Sequence, residues 1–170
     1  AKLLYKYIRV RVDNMIKERN YNIFYTISGG ADIFESGRDS FDSVIQNARF
    51  ALHEAKLKGR NTFVAYSKEQ YETYIHKMDI QEHLRSSIIN GFNGFEVYYQ
   101  PIVDCVSGRV IGAEALMRYT MVTEEGKEWL SPVEFIPLLE KTGLIIPAGR
   151  FVLNEAAKMC REIQQYIPEF

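Results

Sequence analysis

The stretch that most restricts the fold is a pair of β-rich runs, FEVYYQPIVD (Phe95 to Asp104) and RVIGAEALMRYT (Arg109 to Thr120), separated only by Cys105, Val106, Ser107 and Gly108. Parallel strands need a crossover of a dozen or more residues, so a link this short predicts an antiparallel hairpin. Successive side chains on a strand alternate faces. In the second run Ile111, Ala113, Ala115 and Met117 therefore make one apolar face, and Gly112, Glu114, Leu116 and Arg118 make the other. A row of carboxylate, aliphatic and guanidinium groups is either a solvated sheet surface carrying an ion pair worth under ~1 kcal/mol, or a ligand site.

The rest of the chain alternates helix and strand. Leu4, Ile8, Val12, Met15 and Ile16 recur at helical spacing and predict an amphipathic helix over 3–18. YNIFYTISGGADIF reads as a strand interrupted at Gly29 and Gly30, where backbone can approach backbone or ligand. Asp39 is expected to cap a helix with a buried stripe of Phe41, Val44, Ile45, Ala48, Leu52 and Ala55. Lys56 and Lys58 lie in its last turn and Gly59 stops it. NTFVAY follows as a short strand. Ser67 then caps a polar helix reaching about Asn90, whose apolar phase slips near Asp79, as a connector touching two bodies or a kinked surface helix would require. After the hairpin, TEEGKEW reads as a polar loop. Ser131, Pro132 and Glu134 form a capping box with proline in the first turn, opening a helix that stops at Gly143. A last helix starts near Pro147, with Phe151, Val152, Ala156, Met159 and Ile163 inward. The fold class is thus α/β.

Composition narrows the functions available. Of 170 residues, 46% are hydrophobic and 13% aromatic, enough for a core and against global disorder. A formal net charge of -1 gives no bulk attraction to nucleic acid or anionic membrane, so an anionic ligand must be caught by a local cluster. No run approaches the ~18 consecutive apolar residues of a membrane span. Cys105 and Cys160 stand far apart without partners at metal spacing, which fits a reducing, cytoplasmic compartment. His76 and His83 are seven residues apart, not the i, i+4 spacing of a helical metal pair, and read as surface residues.

YYQPIVD, GAEALMRY and SPVEFIPLLEKTGLIIPAGRFVLNEAA, in that order, resemble the opening of the EAL domain, the family of cyclic di-GMP phosphodiesterases, over residues 95 to about 166. ISGGADIF followed by NARFALHEAKLKGRN resembles the closing half of a GGDEF domain, the diguanylate cyclase family, over roughly residues 1–66. The implied organisation is a GGDEF-like half at 1–66, a connector helix at 67–93 and the first part of an EAL domain, a modified TIM-type barrel, at 94–170. The GGDEF signature and the later EAL motifs are not in the chain, so it reads as a segment of a longer tandem protein.

The EAL resemblance implies metal-dependent hydrolysis of one phosphodiester bond of cyclic di-GMP to the linear pGpG. Hard cations such as Mg²⁺ or Mn²⁺ would bind oxygen-rich ligands, lower the pKa of a bridging water and offset phosphorane charge. Glu114 matches the family's first metal ligand. Arg118 matches a phosphate-holding arginine, Leu116 a residue lying against guanine, and Gln100 a ligand-contacting glutamine. Lys56 and Arg60 match triphosphate-contacting positions of the cyclase family, but without the signature turn they are expected only to complement a helix C-terminus. Arg49, His53 and the doubled glycine of SGGA depart from the cyclase pattern and imply a degenerate domain. With one metal ligand, the chain itself is expected to be inactive. The alternatives are a non-catalytic cyclic di-GMP receptor or an interaction scaffold, and an open strand edge implies that the piece forms a homodimer, swaps elements or is completed by further chain.

Overall fold

A computed structural model describes residues 1–37, 39–124 and 126–167. The elements run α1 (Lys2–Glu18), β1 (Gly29–Ala31), α2 (Phe41–Leu57), β2 (Phe63–Ala65), α3 (Lys68–Ile89), β3 (Phe95–Val103), β4 (Val110–Thr123), β5 (Gly126–Leu130), α4 (Pro132–Thr142) and α5 (Ile145–Gln164). The chain divides into two compact units between Tyr74 and Ile75, within α3. No helix among the described residues is long and apolar enough to cross a membrane.

In the first unit, β1 and β2 pair in parallel, Gly30 opposite Val64, with α2 as the connection. Ala51 and Ala55 are fully buried along α2. Small residues there let the helix lie close to the sheet. A Cβ on Gly30 would stand 2.2 Å from Leu52 N and 2.4 Å from Ala48 O, so the expected close approach of backbone to backbone is made by α2. Three expectations change. The long strand across residues 21–34 shrinks to Gly29–Ala31, because its only partner among the described residues is the three-residue β2. The helix cap is Ser40, not Asp39: Ser40 Oγ accepts from Ser43 N at 3.1 Å, while Asp39 accepts from Glu35 N in the preceding turn. The forecast stripe is only partly buried, since Phe41 is 73% exposed. Phe50, outside that stripe, instead packs edge-on against Tyr66 and Tyr71 and against Tyr74.

In the second unit, β3, β4 and β5 form an antiparallel sheet in that order. The predicted hairpin is present. TEEGKEW is not wholly a loop: Gly126–Leu130 forms β5, which pairs with Tyr119 through Thr123 of β4. Phe135, Leu138 and Leu139 of α4 and Ala148 of α5 join Ile80, Leu84, Phe95, Tyr119, Met121 and Leu130 in one core. Helix α4 opens at Ser131 with Pro132 in its first turn and closes at Gly143, whose φ of 74° suits glycine. The capping box does not close, as Ser131 makes no side-chain cap bond; Glu134 lies 3.8 Å from His76 instead. Helix α5 starts at Ile145, slightly before the expected Pro147. Tyr119 Oη is satisfied by Ser87 Oγ at 2.8 Å, and burial raises its pKa while that bond opposes the shift.

The hairpin turn holds a charge-dependent clasp. Asp104 accepts bonds from Ser107 Oγ and from the backbone N–H groups of Val106 and Ser107. Those bonds, the Ser107 hydroxyl foremost, lower its pKa. A lowered folded-state pKa stabilises the fold above the unfolded value and loses that contribution as pH falls through the folded one. Asp104→Asn should therefore be less stable than wild type at neutral pH, with the gap closing below about pH 4. Urea midpoints measured from pH 7 to pH 3 check this, and a gap that stays constant with pH contradicts it.

Candidate ligand-binding face

Residues directly opposite in an antiparallel ladder share a face. The β3–β4 register sets Glu96 against Arg118, Tyr98 against Leu116 and Gln100 against Glu114. Continuing onto β5, Thr120 faces Trp129. One sheet face thus carries Gln100 and Glu114 side by side, then Tyr98 and Leu116, then Glu96 and Arg118, with Trp129 beyond. The opposite face carries Phe95, Tyr119 and Met121, all buried. That burial fixes the register, since a one-residue slip would send the charged row into the core.

The ion-pair alternative for Glu114 and Arg118 does not survive the geometry. Four residues of strand at a rise of about 3.3 Å separate the two backbones by roughly 13 Å. The side chains of Glu114 and Gln100 make no hydrogen bond or ion pair among the described residues. Both are exposed, while Leu116 and Arg118 are half-buried. A carboxylate and an amide therefore sit adjacent with their polar atoms unused, and an amide can both donate and accept. Arg118 is more constrained. Its Nη1 donates to Met117 O at 2.9 Å, and its guanidinium carbon lies 5.5 Å from the Tyr98 ring centroid.

Chemically, this face can offer an oxygen ligand, a hydrogen-bonding amide, an aliphatic surface and a cationic fork. No group of three or more His, Cys, Asp or Glu able to bind a metal occurs among the described residues. Glu114 is one carboxylate where a two-metal site needs several. Lys56 and Arg60 belong to the first unit, exposed at and just after the end of α2, and Arg60 adopts a φ of 63°. Nothing local in the sequence marks Tyr98, Glu96 or Trp129 as members of this face, save that Tyr98 stands two residues before Gln100.

The chain matches the family model described as EAL domain over residues 81–170, just over half its length. It is 30% identical over 139 residues to the cyclic di-GMP phosphodiesterase NbdA of Pseudomonas aeruginosa, covering 82% of this chain and 17% of that protein. It is 28% identical over 152 residues to the bifunctional diguanylate cyclase/cyclic di-GMP phosphodiesterase MucR of the same organism, covering 89% of this chain and 21% of MucR. A solved structure of the PaMucR phosphodiesterase in complex with c-di-GMP is similar over 53% of this chain and 33% of its own, with 34% identity and a TM-score of 0.41. The chain spans 15% to 21% of the length of the curated relatives it matches.

Proposed function

This chain belongs to the EAL domain family, and from that premise we propose that the face of β3 and β4 is the opening part of a cyclic di-GMP phosphodiesterase site. The observation that carries the proposal is the shared face of Gln100, Glu114, Leu116 and Arg118. Arg118 would hold a ligand phosphate with its planar fork, Leu116 would lie against a guanine, and Gln100 would bond the ligand through its amide. Glu114 would give one oxygen ligand to Mg²⁺ or Mn²⁺. Glu114 has no companion metal ligands clustered with it among the described residues, so this chain would bind the dinucleotide without hydrolysing it. The complete domain would carry out the hydrolysis to pGpG.

The first unit we read as the closing half of a degenerate GGDEF domain, with residues 1–66 as that half, 67–93 as connector and 94–170 as EAL. Supporting this are the parallel β1–α2–β2 arrangement under the NARFALHEAKLKGRN segment and a unit division that falls inside α3. A cytoplasmic site suits the two free cysteines. Among the described residues the outer edges of β3 and β5 have no strand partner, so we also infer a homodimer, and light scattering at the monomer mass would refute it.

The test of function uses the purified chain with cyclic di-GMP and Mn²⁺. Chromatography is expected to show no pGpG. Calorimetry is expected to show binding that weakens about tenfold or more in Arg118→Ala, the loss typical of a charged hydrogen bond. Release of pGpG, or unchanged binding by the variant, would overturn the proposal.

A further inference from the structure

We propose that Tyr98 is a positioning residue that holds the Arg118 guanidinium ready for a ligand phosphate; this rests on the phosphate-holding role given to Arg118 above. Tyr98 is 55% exposed, so packing does not account for so large a ring at this place. Tyr98 opposes Leu116 and Glu96 opposes Arg118, which makes Tyr98 and Arg118 diagonal neighbours on one face. Diagonal neighbours lie within reach of aromatic and long side chains.

Arg118 has two partners to choose from. Glu96 stands directly across the ladder, yet no ion pair joins them among the described residues. The guanidinium instead lies 5.5 Å from the Tyr98 ring centroid, inside the roughly 6 Å range of a cation–π contact. An ion pair would have neutralised the charge and occupied the fork. A ring leaves the charge uncompensated and the fork edges open. One of the five N–H donors is used by Met117 O, which fixes the rotation of the group and leaves the others free. A mobile arginine loses rotamer freedom when it grips an anion, and ring and carbonyl together impose that loss before the ligand arrives.

Cyclic di-GMP binding to the chain, with Mg²⁺ present, tests this in wild type, Tyr98→Val, Tyr98→Phe, Arg118→Ala and the Tyr98→Val/Arg118→Ala double variant. Valine keeps the β-forming preference of the position, and the melting temperature confirms folding of each. Tyr98→Val should weaken binding about two- to fivefold, Tyr98→Phe should restore it, and Tyr98→Val should cost nothing further once Arg118 is gone. If Arg118→Ala weakens binding but Tyr98→Val does not, the positioning role is overturned while the role of Arg118 stands. Equal losses from Tyr98→Val and Tyr98→Phe, or additive losses in the double variant, would mean that Tyr98 touches the ligand itself and also overturn it. Unchanged binding in Arg118→Ala removes the premise and the proposal together.

Discussion

Phe135→Ala is expected to destabilise the second unit by about 3–5 kcal/mol, the usual cost of emptying a buried phenylalanine site. Phe135 is fully buried at the centre of the core. Its ring lies 6.4 Å from Phe95 and 5.9 Å from Tyr119, one from each strand of the hairpin. The strand residues that face α4 are therefore held by the same ring, and its loss opens a void between sheet and helix. Because domains are stable by only about 5–15 kcal/mol, this is a large share of the total. The chain has a single tryptophan, Trp129 on β5, so its fluorescence reports this unit. The urea midpoint followed at Trp129 should fall by about 1 M or more. A midpoint within error of wild type would show that the hairpin does not depend on α4.

Gly30→Ala is expected to be nearly as costly in the first unit, about 3 kcal/mol, at the upper end of overpacking effects. The added methyl would meet Leu52 N at 2.2 Å, Ala48 O at 2.4 Å and Leu52 Cα at 2.7 Å. All three are backbone atoms, so no rotamer change relieves the clash, and α2 has to lift from β1. Amide exchange of residues in the middle of α2 should accelerate about a hundredfold. Wild-type protection in the variant would mean that helix and strand are not in this close contact.

How much was legible in the sequence depended on whether the signal was local. The hairpin was legible because a short turn between two β-rich runs leaves one topology, and the two faces of β4 followed from a period of two. Leu130 is the only buried residue of β5, so the strand shows no alternation and read as loop; it exists because β4 supplies a partner. Residues 21–34 behave in the opposite way: their composition favours a strand, but the partner strand offers only three residues to pair with. The cap moved from Asp39 to Ser40 because the aspartate is taken by the turn before the helix. In the candidate site, the shared face of Glu114, Leu116 and Arg118 followed from the period of two along one strand, and their roles only from the resemblance to the EAL family. The adjacency of Gln100 to Glu114 needed a hairpin register, and the Tyr98–Arg118 contact needed that register plus two side-chain conformations. No single-strand pattern encodes such a diagonal.

The most direct measurement is a titration of the ¹⁵N-labelled chain with cyclic di-GMP and Mg²⁺, followed by backbone amide shifts. The largest shifts should fall on Gln100, Glu114, Leu116, Arg118 and their immediate strand neighbours, and should fade in Arg118→Ala. Shifts confined to the first unit, or no shifts at millimolar ligand, would contradict the assignment of this sheet face as the dinucleotide site.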